Sequence, residues 1–315
     1  MPRQGDAFPI IYNMIRLSII IPEYNFDCTT LVKDLHAQCS DAVGKDNFEI
    51  LVIDDGSNEE TRQSLSDINQ WTGCRLIEKD KNTGRADCRN FGIRQAQGKL
   101  VIIMDCDAEV AGPNYIKNYL SAFGKDDEVI CGGLNTSIHY LNKTNKLRYR
   151  YETNASRLYK DHIKEYNPYE CFSVFNVCIR NDVFRKVTFN ERFSRYGHED
   201  TLFGIELKKQ GVKVRLINNQ LIHTGIDDNA SFLGKTEEAL RNLWKFRDLF
   251  EGEIKILRTA RKLEKYHATP LLRLWHRLFK RIEQKNLLGN NPSLFVFKLY
   301  KLGYLLNLRH SEYSL

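Results

Sequence analysis

The stretch "GKLVIIMDCDAE" (98–109) runs through an unbroken apolar segment, residues 100–104, and then sets Asp105 and Asp107 two positions apart. A short apolar run rich in Val and Ile suits a strand buried on both faces, as in a parallel sheet. Residues i and i+2 at a strand end lie on the same side, so both carboxylates can face one ligand. Hard divalent cations prefer oxygen ligands and bridge phosphates. The plainer alternative is an acid-rich turn that caps the next helix.

Working outward, "LSIII" (17–21), ended by Pro22, "FEILVI" (48–53) and "CRLIE" (74–78) read as three more strands. Helical spacing fills the gaps. Leu31, Leu35 and Gln38 mark one helix, a second starts at Ser57 with Glu60 completing a capping box, and a third covers about 85–97. Buried strands alternating with helices predict an α/β fold with a mostly parallel sheet flanked by helices. Ligands in such sheets bind at the carboxyl ends of the strands. The clusters at 22–25, 54–57 and 105–107 are therefore expected to converge.

Beyond residue 130 the pattern loosens. "ICGGLNTSIHYL" reads as a strand pair, "LRYRYETNASRLYKDHI" as a polar helix and "CFSVFNVCIRNDVF" (171–184) as strand and turn. "DTLFGIELKKQG" is an amphipathic helix closed by Gly211. "VKVRLI" and "LIHTG" are short strands, and from 235 onward the chain is helical.

The 315 residues are 42% hydrophobic and 28% charged, as in globular proteins. No run is long and apolar enough to span a bilayer, and the N-terminus has neither an apolar core nor a cleavage site, so no signal peptide is expected. Eight scattered cysteines without C-x-x-C spacing suit reduced thiols and argue against a structural zinc. The expected location is the cytoplasm. Residues 235–315 hold 17 Lys and Arg against 8 Asp and Glu, whereas the first 234 residues are slightly acidic. Within that basic part, "TPLLRLWHRLFKRIEQ" (269–284) puts Leu271, Trp275, Leu278 and Ile282 on one face. Such a helix suits a membrane surface, at the inner face for a cytoplasmic protein. The alternative is packing on the main domain or on a second subunit, in a homodimer. No nucleic-acid module accompanies the basic residues, so nucleic acid is not expected as a partner.

The clusters carry their own chemistry. Pro22 fixes the backbone before Tyr24, an aromatic plate able to stack on a base. Asp54 and Asp55 precede Gly56, and Asp55 can accept a hydrogen bond from a nucleobase. "DDGS" lacks the intervening residue of the D-x-D-G-T loop of haloacid-dehalogenase phosphatases, so that match fails.

Taken together, "LSIIIPEYN", "EILVIDDGS", "NTGRADCRNFGIRQAQGKLVIIMDCDAE" and "FNERFSRYGHEDTLFGIELKKQG" resemble, in order and spacing, the family 2 glycosyltransferases of the GT-A fold over about 16–225. The resemblance implies a GT-A domain over 1–234, with a nucleotide-binding half at 16–110 and an acceptor-side half at 111–234, followed by a basic helical region at 235–315. It implies a nucleotide-sugar donor, with UDP expected, and inverting transfer to a hydroxyl of a glycan or lipid-linked acceptor. Tyr24 would pack on uracil and Asp55 hydrogen-bond it, with Arg89 of "ADCRN" near the donor. "DCD" resembles the D-x-D motif, with Asp105 near the ribose and Asp107 on a divalent metal, Mn2+ or Mg2+. "GHED" resembles the acceptor-side E-D motif, with Asp200 as general base and Glu199 helping to hold the acceptor. His198 and Tyr196 beside them, and Asn176 within 171–184, are candidate sugar contacts. His223 resembles a late histidine that ligates metal in some relatives; the alternative is a satisfied histidine at a strand end. Two departures stand out: Glu23 occupies a usually small or neutral position, and Tyr196 stands where Trp often precedes the E-D pair.

Two other functions compete. A sugar-1-phosphate nucleotidyltransferase needs a Gly-rich loop with Arg after the first strand, which "PEYNFD" lacks. A non-catalytic nucleotide-sugar-binding or scaffold protein could keep the fold and lack turnover.

Overall fold

The apolar runs become strands β1 (Leu17–Glu23), β2 (Phe48–Asp54), β3 (Cys74–Glu78) and β4 (Leu100–Met104). The computed structural model describes residues 15–312 apart from 164, 166, 171 and 251. The stretch read for a signal peptide and Cys171 lie outside those residues. The shorter strands are β5 (Ala108–Val110), β6 (Val129–Cys131), β7 (Leu134–Thr136), β8 (Asn176–Arg180), β9 (Val214–Leu216) and β10 (Leu221–His223). A seven-stranded sheet has the order β3-β2-β1-β4-β8-β6-β9, and a small one the order β5-β10-β7. The first four strands are mutually parallel, while β8 runs antiparallel to β4 and to β6.

The helices are α1 (Thr29–Val43), α2 (Glu59–Leu65), α3 (Arg85–Gln95), α4 (Tyr115–Ala122), α5 (Lys146–His162) and α6 (Glu199–Lys209). The C-terminal region adds α7 (Asn229–Lys245), α8 (Lys255–Lys265), α9 (Thr269–Leu287) and α10 (Leu294–Glu312). Successive strand residues feed opposite layers. Ile19, Ile21, Ile50, Val52, Ile102 and Met104 pack with α1 and α4 residues, whereas Ile20, Leu51, Ile53, Val101 and Ile103 pack with Ala86, Cys88 and Phe203. A sheet covered on both faces has only its strand ends open, so the polar clusters must lie there.

Four expectations change in detail. β1 does not stop at Pro22 but pairs on with β2 as far as Glu23↔Asp54. Its pairing with β4 ends at Ile20↔Ile103, so Pro22 sits where one neighbour has already left and its missing N–H costs less. Asn58, not Ser57, caps α2, accepting the Thr61 N–H at 2.9 Å. Ser57 instead accepts the Asn25 N–H and donates to Glu23, tying the first two strand-end loops together. The strand pair expected after residue 130 exists as β6 and β7, but the two belong to different sheets. The domain boundary expected at 234 falls inside α7. The helices beyond it share a core with the main domain, where Phe193, Leu202 and Ile205 meet Leu240, Leu243, Phe250 and Leu305.

Candidate active site

The carboxyl ends of β1, β2 and β4 open on a cavity of about 350 Å³ whose lining includes Pro22, Tyr24, Asp55, Arg89, Asp105 and Asp107. All three clusters therefore meet there. Asp54 does not line it: fully buried, it accepts the Ser57 N–H at 2.7 Å and the Arg62 guanidinium at 2.8 Å. Asp55 is heavily engaged already. It accepts the Thr83 and Gly84 N–H groups and pairs with Lys79 Nζ at 2.8 Å, which fixes the loop before α3. Tyr24 is 52% exposed at the rim, free to meet a flat ligand.

Glu23, the first departure, is buried under this loop. Burial, with Asp54 adding to it, pushes its carboxyl up to about 7, although the Phe26 N–H donates to it at 2.6 Å. It shapes the loop from within and is 2% exposed.

Arg89 joins the halves. It lies on α3 with its guanidinium almost fully buried, one nitrogen 2.9 Å from Asp105 and the other 2.9 Å from Asp200 and 3.3 Å from Glu199. The planar fork of Arg can serve several carboxylates at once, which an ammonium cannot. Glu199 is further held by the Gly197 N–H at 3.1 Å. Asp200, in the first turn of α6, accepts the Val174 N–H at 3.1 Å on its second oxygen. Burial raises Asp200 to about 6 against the pull of Arg89. Burial also acts to raise Asp105, but Arg89 and Arg85 outweigh it and hold that carboxyl below its ordinary value. One acid is thus kept charged while its neighbour is poised to exchange a proton near neutral pH.

A second cavity, of about 530 Å³, is lined by Tyr151, Tyr159, Phe172, Ser173 and Phe175 among others. Ser173 Oγ lies 3.5 Å from Asp200. Asp200 lines neither cavity itself; it touches Arg89 of the first cavity's wall on one oxygen, and Ser173 Oγ of the second cavity's wall and the Val174 N–H on the other.

His223, at the end of β10, has Nε2 3.0 Å from Asp107 Oδ2 and Nδ1 2.8 Å from Glu152 of α5. Burial opposes its protonation, but these two carboxylates together lift it to about 9. The Thr224 N–H donates to the Asp107 carbonyl at 2.9 Å, which brings β10 against the D-x-D loop. A Cβ on Gly225 would stand 2.5 Å from Asp107 Oδ2, so the bare glycine leaves that carboxylate room. Among the described residues no three carboxylate, imidazole or thiol side chains converge as a ready metal site. Asp107, which lines the first cavity, and His223 behind it nevertheless make a two-membered oxygen and nitrogen set. That set suits a cation completing its shell with ligand phosphates and water.

Two candidates are engaged within the protein, although Asn176 also borders the second cavity. Asn176 is 2% exposed and its amide is spent: the Tyr115 and Tyr119 hydroxyls donate to its oxygen, and it donates to the Gly133 and Asn219 carbonyls. His198 caps α6 in a left-handed conformation (φ 71°), with its ring 5.9 Å from that of Phe250; burial lowers it to about 4 and keeps it neutral. Tyr196 does line the first cavity, flanked by the Arg85 and Lys235 cations 5.1 and 5.8 Å from its ring.

Sequence reasoning missed Arg85, Arg195 and Lys235, which supply positive charge to the first cavity, and Glu152, which holds His223. Arg85 follows Gly84, whose φ of +93° and 2.8 Å Cβ approach to the Ser194 carbonyl mark a tight junction. "TGRAD" was the available signal. Lys235 and Glu152 are single polar residues on helices, and only folding brings them in.

A mostly parallel sheet with a nucleotide-sized cavity at its carboxyl edge, an acidic D-x-D rim and an E-D helix start define a GT-A protein. The family model described as Glycosyl transferase family 2 matches residues 18–193, more than half of the sequence, and the chain belongs to that family. It is 27% identical over 237 residues to chondroitin synthase of Escherichia coli, covering 66% of this chain and 34% of that protein. It is 26% identical over 172 residues to glycosyltransferase AglE of Haloferax volcanii, covering 54% of each. The chain thus spans about a third to a half of these relatives. Among solved structures, the mannosyltransferase PcManGT from Pyrobaculum calidifontis, in complex with GDP-Man and Mn2+, matches with a TM-score of 0.57 at 13% identity over 93% of this chain and 86% of that one. S. aureus TarS 1-349 in complex with UDP-GlcNAc matches with a TM-score of 0.52 at 15% identity over 95% and 92%. Those two likenesses speak for the fold.

Proposed function

We propose that the protein transfers a sugar from a nucleotide-diphospho-sugar, with UDP as the expected nucleotide, to a hydroxyl of a glycan or lipid-linked acceptor, with inversion. The contacts of Asp200 with a wall residue of each cavity, Arg89 and Ser173, and its carboxyl lifted toward neutrality carry this reading. The donor lies in the first cavity with its base against Tyr24, and Arg85, Arg195 and Lys235 face the diphosphate. The acceptor enters from the second cavity, whose aromatic walls suit the apolar faces of sugar rings. Asp200 takes the proton of the attacking hydroxyl while the new C–O bond forms and the bond from the anomeric carbon to the diphosphate breaks. The protonated Asp200 and the nucleoside diphosphate are left. Positioned proton transfer of this kind typically gives about 10²–10⁴-fold. Asp107 and His223 would hold Mn2+ or Mg2+, whose charge neutralises the leaving diphosphate.

Relatives named as synthases of chondroitin and as glycosyltransferases, and solved neighbours bound to UDP-GlcNAc and GDP-Man, support a donor of this class. The test incubates the protein with manganese and labelled sugar nucleotides, with and without simple glycosides. Transfer, or slow donor hydrolysis, is expected. Tight nucleotide binding without turnover over the whole panel would favour a non-catalytic binder.

A further inference from the structure

α9 is built inside out. The side chains it buries are His276, Glu283 and Leu287, with His276 Nδ1 2.7 Å from Glu283 and its ring 5.1 Å from Tyr300 of α10. Gly303 of α10 lets His276 seat closely, since a Cβ there would stand 2.6 Å from the His276 Cβ. The large apolar side chains point the other way: Leu271, Leu274, Trp275, Leu278 and Ile282 are 46 to 73% exposed. Spacings of three, four, seven and eleven residues put all five on one stripe of a helix. Scattered exposed apolar residues are ordinary, whereas a contiguous stripe marks an interaction surface. Of the alternatives read from the sequence, packing on the main domain is not seen among the described residues, which leave this face bare.

We propose that the stripe docks on an anionic lipid surface, with α9 lying in the plane of the interface. The charges choose the occupant. Arg277, Arg281 and Lys285 form an exposed row at i, i+4 and i+8 along one edge of the stripe. The one acid on α9, Glu283, is buried against His276. A second copy of the chain would bring these cations face to face with no exposed acid on either helix to meet them. Phosphate headgroups meet them directly, and the aliphatic stripe enters the acyl boundary beside them. Trp275, packed on Phe279 with centroids 4.2 Å apart, is the residue type that settles at the headgroup level. Among the described residues no helix is long and apolar enough to cross a membrane, so this contact lies on the surface.

The test is co-sedimentation of the full chain with two vesicle preparations, phosphatidylcholine alone and phosphatidylcholine mixed equally with phosphatidylglycerol. Binding to the anionic vesicles is expected, fading as salt is raised. Replacing Arg277, Arg281 and Lys285 together by Gln should weaken it on the order of 100-fold, at about 1 kcal/mol per charge. Leu278→Ser with Ile282→Ser should weaken it about tenfold or more. These side chains are exposed, so circular dichroism and UDP affinity should match the parent protein. The proposal is overturned if the chain stays in the supernatant with both vesicles, or if the serine variant binds as the parent does. It is equally overturned if sedimentation equilibrium reveals a dimer that the serine variant dissolves, because the occupant is then a second copy.

Discussion

Replacing Arg89 by Met probes the joint between the two halves of the site. One guanidinium, 1% exposed, faces Asp105, Glu199 and Asp200. Met keeps much of the volume and removes the cation, leaving three acids crowded together. Removing one partner of a buried ion pair typically costs about 3–5 kcal/mol, because the remaining charge is left uncompensated. The cost must depend on pH. Without Arg89 the carboxyl pKa values rise, and an acid with a raised folded-state pKa loses its stabilising contribution as pH increases through that value. The deficit of Arg89→Met against the parent should therefore be largest near pH 8 and shrink as the acids take up protons toward pH 5. Urea denaturation of both proteins at the two pH values measures it. A deficit below about 1 kcal/mol at pH 8, or one equal at both pH values, would refute the compensation argument. Arg89→Lys should fall between, since an ammonium cannot serve Asp105 and Asp200 at once.

Other perturbations isolate other parts. Glu152→Gln removes the carboxylate behind His223 and should weaken Mn2+ affinity, measured calorimetrically with UDP present, by about 10–100-fold; unchanged affinity would remove His223 or its orientation from metal binding. Tyr24→Ala should cost about 1–3 kcal/mol of nucleotide affinity if the ring stacks on the base, and equilibrium dialysis against UDP would show it. Glu23, lifted to about 7, weakens the fold above that pH, because its raised carboxyl is stabilising only while protonated. Glu23→Gln should therefore gain about 1–2 kcal/mol at pH 8 and almost nothing at pH 5 in denaturant titrations.

The strands of the nucleotide half and the meeting of their polar ends were legible because apolar run length, strand–helix alternation and strand-end position are local signals. The pairing of Arg89 with Asp200 spans 111 positions and was not legible; the family resemblance placed Arg89 only near the donor. Local signals also misled: "SNEE" offers two capping residues, and Asn58 took the cap because Ser57 was needed between the loops. Asn176 was chosen from its segment alone, and its amide is consumed in bracing β8. Lys235 fell beyond the expected boundary, since nothing local shows that a C-terminal helix returns its first turns to the cavity. α9 defied the usual rule outright, as its apolar periodicity was plain but the side it would bury was not.

The account turns on Asp200, and Asp200→Asn tests it most directly. The amide oxygen can still accept from Arg89, but the side chain takes no proton, so transfer should fall by at least about 100-fold while UDP affinity stays within about threefold of the parent. In the parent, transfer should be flat above about pH 7 and fall about tenfold per unit below pH 6, the range to which burial lifts this carboxyl. An Asp200→Asn variant that keeps more than about a tenth of the rate, or a parent profile with no acid limb near 6, would contradict the assignment of the base and with it the proposed reaction.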